Sequence, residues 1–134
     1  MIGEMNLDTL IREMKPELNA GKYVFCTLAP NDDISGLNPL GSFREREGVT
    51  VILPKDQADE LGLPYSFVSA WITLTIHSSL DAVGLTAVVS QSLAKAGISC
   101  NIIAGYYHDH LFVPIHEAER ALVILKSISK TPNE

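Results

Sequence analysis

The sequence predicts an α+β protein with two helix-strand-strand-helix cores, each the heart of a ferredoxin-like βαββαβ unit with antiparallel sheets. Three observations predict it. Apolar residues recur at spacings of three and four in several segments, and short β-branched and aromatic runs separate them. The same element order also appears in each half of the 134-residue chain.

The first stripe is Leu7, Leu10, Ile11, Met14 and Leu18, one face of a helix with Asn6 as its cap and Pro16 near its end. Lys22 to Leu28 is short and rich in β-formers, which predicts a strand. Pro30 to Gly41 is crowded with Asn, Asp, Gly and Pro and reads as a long loop. Phe43 to Leu53, apolar at Val49, Val51, Ile52 and Leu53, reads as one strand. A short helix starts at Pro54, with Gly62 as its left-handed stop and Pro64 barring continuation.

The second half opens with a strand over Ser66 to Ile76, which either half can own. Ser78 to Asp81 lead into a helix from about Ala82 to Ala96, with Leu85, Val88, Val89, Leu93 and Ala96 as its stripe. Gly97 ends it. Ser99 to Tyr106 and Leu111 to Val113 read as a hairpin across His108 and Asp109. A last helix carries Ala118, Ala121, Leu122, Leu125 and Ile128 on one face. The expected division is 1–64 and 65–134.

Composition narrows the function. Charged residues are 19% of the chain against 46% hydrophobic, so apolar surface is left over for a subunit interface. The net charge of -6, and an Arg44-Glu45-Arg46 run broken by its own carboxylate, argue against nucleic acid. Cys26 and Cys100 sit in apolar runs and read as small buried side chains, in neither a disulfide framework nor a Cys-x-x-Cys pair. Met1 to Glu4 lack a signal-peptide pattern, and no apolar stretch reaches the ~20 residues a membrane span needs. A cytoplasmic protein without a membrane partner is the expectation.

Three stretches then carry a resemblance: Trp71-Ile72-Thr73-Leu74, Leu80-Asp81-Ala82-Val83-Gly84-Leu85, and Leu93-Ala94-Lys95-Ala96-Gly97-Ile98-Ser99. With Ile102, Tyr106 to Pro114 and the closing helix, they make the second half resemble an ACT domain. The whole chain is similar to small bacterial two-module ACT-like proteins of uncharacterised function, although no opening strand precedes Leu7. The resemblance implies tandem modules that pair in homodimers and bind amino acids near the first strand-to-helix loop. It also implies allosteric control of a separate enzyme, since no enzyme domain is attached.

The ligand residues so implied are Ser78, Ser79, Leu80, Asp81, Val83, Gly84, Leu85, Asn101, Ile102 and Asp109. A helix start offers unpaired N–H groups and a positive dipole end to an α-carboxylate, and Gly84 lets a ligand approach the backbone. The plainer role for Ser79 or Asp81 is a helix cap. Asp109 is placed to meet an amino group; its plainer role is a turn residue. His108 and His110, with Asp109, His77 or His116, invite a metal reading. No second group stands at zinc spacing, so no metal or cofactor is expected. Asn31-Asp32-Asp33 lacks a calcium-loop pattern, and Arg44 to Glu47 read as exposed pairs. No Gly-x-Ser-x-Gly elbow, P-loop or dinucleotide fingerprint is present, so catalysis is not expected. Two readings follow: an amino-acid-sensing regulatory module, or a protein–protein assembly module without a small ligand.

Overall fold

The computed structural model describes residues 6–75 and 83–130. The chain divides into two compact units, one of residues 21–69 and one joining 1–20 to 70–134. Residues 1–20 thus group with 70–134 and not with 21–69. The physical reason is that the opening segment finds its apolar partners in the later half.

In that later unit the elements are α1 (Leu7–Glu13), β1 (Pro16–Leu18), β5 (Val68–Leu74, here from Ala70), α3 (Leu85–Lys95), β6 (Asn101–Ala104), β7 (Asp109–Pro114) and α4 (Ala118–Lys130), with a 3-10 turn before α4. Strand order is β1-β5-β7-β6. This is the ferredoxin-like order, with the last strand supplied by residues upstream of the unit's first strand. The pairing of Pro16 with Leu74 and Leu18 with Ile72 is antiparallel. Leu10, Met14, Ile72, Leu74, Leu85, Leu93, Leu111 and Leu125 lie in one buried core.

The expected helix over Leu7 to Leu18 is corrected here. It ends at Glu13, and Pro16 starts a strand instead. A proline restricts the residue before it to extended backbone and offers no N–H to a helix. The stripe still predicted burial correctly, since Leu10 and Met14 are core residues with Leu7, Ile11 and Leu18 packed on them. Asn6 caps α1 as expected, its Oδ1 accepting from Thr9 N at 3.1 Å.

The unit of residues 21–69 contains β2 (Tyr23–Leu28), β3 (Gly41–Arg44), β4 (Val49–Pro54), α2 (Lys55–Leu61) and the first residues of β5. Its order, β3-β4-β2-β5, is again ferredoxin-like. The expected single strand over Phe43 to Leu53 is two strands of a hairpin, Arg44 pairing with Val49. The charged run Glu45 to Glu47 turns there, and Gly48 closes the turn because a Cβ would lie 2.4 Å from Leu28 O. Gly62, at φ +69°, ends α2 as expected. Residues 29–40 form no helix, so only α2 covers this unit's sheet. The departure from a complete βαββαβ unit is thus a missing first helix, since α1 packs in the other unit.

Candidate functional site

The best candidate residues in the unit holding α3 and β7 are Gly84, just before α3, and Asp109, the first residue of β7. Gly84 precedes α3 with φ +105°, a conformation that side-chained residues rarely adopt. Among the described residues, no side chain caps α3. Its first turn therefore presents backbone N–H groups without a side-chain acceptor among the described residues, at the positive end of the helix dipole. Gly84 also makes room for α1, since a Cβ would lie 2.9 Å from Leu7 Cδ2. Val83 is exposed, whereas Leu85 is buried and offers only its backbone outward.

Asp109 opens β7. The ring of the next residue, His110, touches Trp71 and Thr73 on β5, so the start of β7 lies beside the later part of β5. Side chains alternate along a strand, so Asp109 points opposite to His110, toward the face where Leu111 and Leu85 share the core. Asp109 is half-buried, and among the described residues its carboxylate has no hydrogen bond or ion pair. Burial pushes its pKa above the ordinary carboxylate value, while His110 and His108 pull it back down. Next to it, His108 Nδ1 is buried and, among the described residues, without a hydrogen-bond partner.

The remaining expected residues divide. Ile102 pairs with Leu111 and packs on the core, on Asp109's face of the sheet. Asn101 pairs with Phe112, which places its side chain on the other face, away from Asp109. Ser78, Ser79, Leu80 and Asp81 lie outside the described residues, as does His77. Among the described residues no cluster of three or more His, Cys, Asp or Glu could hold a metal. Burial raises both thiols, Cys100 to about 11, so each stays protonated near neutral pH. No helix of the described residues is long and apolar enough to cross a membrane.

Sequence reasoning missed a polar network on the opposite sheet face. Trp71 Nε1 donates to His110 Nδ1 at 3.0 Å, and Asn19 Nδ2 donates to Thr73 Oγ1 at 2.9 Å. Only the alternation of Trp71 and Thr73 against the apolar Ala70, Ile72 and Leu74 signals that face.

Residues 2–70 match a family model described as ACT domain, and residues 66–127 match a second with the same description. The chain belongs to the ACT-domain family. It carries tandem ACT modules of the ferredoxin-like α+β kind. ACT modules typically serve small-molecule regulation. A Vibrio cholerae structure of unknown function, described as a possible transport protein, is 48% identical. It covers 92% of this chain and 95% of its own, with a TM-score of 0.84. An Agrobacterium tumefaciens protein shares the fold at 18% identity and a TM-score of 0.67, covering 87% of this chain and 89% of its own. So does the ligand-free regulatory subunit of aspartate kinase from Thermus thermophilus, at 12% identity and a TM-score of 0.65 over 88% and 97% of the two chains. No curated protein matched the sequence.

Proposed function

We propose that this ACT pair is a non-catalytic regulatory module that binds an amino acid or close derivative beside the start of α3. The ligand's α-carboxylate would meet the amides around Val83 and Gly84, and its ammonium would meet Asp109. Ser78 to Asp81 and Ile102 would border the site; Asn101, on the other face, would not. The observation that carries the reading is the half-buried Asp109, unpaired among the described residues and facing the core that α3 shares. A carboxylate kept partly from water without a cation is improved by one.

Binding would join module surfaces of paired protomers and shift the population of one quaternary arrangement, which a separate enzyme then reads. A cytoplasmic setting fits such a role. A thermal-shift screen against amino acids and their derivatives tests it. A ligand at a hundredfold excess over its dissociation constant adds about 2.7 kcal/mol of stability. A hit that Asp109→Ala abolishes, with the fold intact, is the expected result; unchanged affinity in that variant removes Asp109 from the site.

A second reading, assembly without a small ligand, has its own support. Phe43 on β3, Ile103 on β6, and Tyr106 and Tyr107 at the hairpin tip are exposed, and β3 and β6 end the strand order. Stable oligomers indifferent to every metabolite tested would favour it.

A further inference from the structure

The sheet face opposite α3 and α4 carries hydrogen bonds that ligand binding at Asp109 does not use. Asn19 N and Nδ2 both donate to Trp71 O, at 2.9 and 3.2 Å, and Nδ2 also donates to Thr73 Oγ1 at 2.9 Å. Thr73 Oγ1 lies 3.3 Å from His110 Nδ1, and Trp71 Nε1 donates to that same nitrogen at 3.0 Å. The indole and imidazole rings pack with centroids 5.8 Å apart.

An indole N–H can only donate, so it fixes the chemistry of its partner. His110 Nδ1 must carry a lone pair, and in the neutral ring the proton sits on Nε2. That other nitrogen lies on the side of Gly105. A Cβ on Gly105 would lie 3.2 Å from His110 Nε2 and 2.8 Å from His108 O. Turning the ring over about its Cβ–Cγ bond would set the carbon Cδ2 where Nδ1 lies, so the flipped ring offers Trp71 no acceptor. Protonation puts an N–H on Nδ1, facing the Trp71 N–H, and two donors cannot share a hydrogen bond.

We propose that His110 is a proton-operated latch on this face, closed onto Trp71 when neutral and released from it when protonated. Closed, it ties β7 to β5 and, through Thr73 and Asn19, to the end of β1. Among the described residues, the titratable groups around it are few. His108 and Asp109 flank it on its own hairpin, Tyr106 and Tyr107 occupy the turn, and Glu17 lies opposite Thr73 on β1. β5 and β6 contribute none. Burial, then His108, push the His110 pKa below the ordinary histidine value, while Asp109 pushes it back up. The folded state thus binds the proton less well than the unfolded chain. Stability from the latch is complete above the unfolded histidine value and is lost as pH falls toward the lower folded value.

Trp71 is the chain's only tryptophan, so its fluorescence reports the latch directly. The experiment is an emission titration of the full chain from about pH 8 to about pH 4.5, with the transition expected below about pH 6.5. His110→Asn keeps an acceptor oxygen near the Nδ1 position but cannot titrate, and its emission should stay flat over that range. A wild-type chain without a transition, or the same transition in His110→Asn, overturns the proposal. Nitrogen NMR of the wild-type histidine rings supplies a readout that needs no variant. At pH 8 the His110 Nδ1 should be unprotonated, and a protonated Nδ1 overturns the latch. In Trp71→Phe the His110 titration should move up toward the ordinary value, and an unmoved titration also overturns it.

Discussion

The two units share one strand order and differ in what covers the sheet. In the unit of 1–20 and 70–134, α3 follows the first strand, α4 follows the third, and α1 adds a further helix. Among the described residues, fourteen buried side chains form its core, against six in the unit of 21–69. In the latter the chain leaves the first strand through the helix-free loop 29–40. A helix start after the first strand is what offers aligned amides to an anionic ligand, and only one unit has it. The comparison teaches that a repeated strand order need not bring a repeated helix cover. Without that helix the unit of 21–69 has a smaller core and no helix start after its first strand.

The largest expected effect separates the two cores. Leu93 and Leu53 are both fully buried, one in each unit. Leu93→Ala is expected to cost about 4 kcal/mol and Leu53→Ala about 3 kcal/mol, the smaller core collapsing more easily around the cavity. Urea denaturation measures both, and a reversed order would show that core size does not set the difference.

Glycines come next. Gly84 holds φ +105° with Leu7 packed on it, whereas Gly62 holds φ +69° with open space around it. Gly84→Ala should cost about 2 kcal/mol and Gly62→Ala about 1 kcal/mol. Thermal melts of the two variants check this, and equal losses would break the claim that Gly84 is specially constrained. Asn6→Ala, which removes the cap of α1, should cost about 1 kcal/mol, measured the same way.

The smallest effect concerns two aspartates of opposite pH behaviour. Burial raises the pKa of Asp109, so its ionised form is disfavoured in the folded chain and its contribution is lost as pH rises through the folded value. The Ser35 N–H donating to Asp33 lowers that residue's pKa, so its contribution is lost as pH falls. At neutral pH, melts without ligand should therefore rise for Asp109→Asn and fall for Asp33→Asn, and both shifts should shrink near pH 3. Shifts of the same sign would contradict the contrast.

Much of this was legible in the sequence because local chemistry set it. Tyr23 to Leu28 is a strand of β-formers, Gly62 and Gly97 take positive φ after their helices, and Leu85, Val89 and Leu93 form one buried stripe. What was not legible depended on distant partners. Leu18 fits a helical stripe, yet it lies in a strand against Ile72, fifty-four positions away. Phe43 to Leu53 reads as one run because the turn at Glu45 to Gly48 carries only one glycine. Gly84 and Asp109 are the proposed site residues to which residue type and family pattern point. The placement of Asn101 was not legible, because one step along a strand reverses the face and only pairing fixes the register. The Trp71–His110 bond joins residues thirty-nine positions apart, and no local pattern marks it.

The most direct test is a two-dimensional amide NMR titration of the isotope-labelled chain with the strongest thermal-shift ligand. Shifts concentrated at Val83 to Leu85 and at Asp109, with residues 29–40 unmoved, are the predicted result. Shifts confined to residues 21–69 would contradict the assignment of the site to the unit that kept its helix.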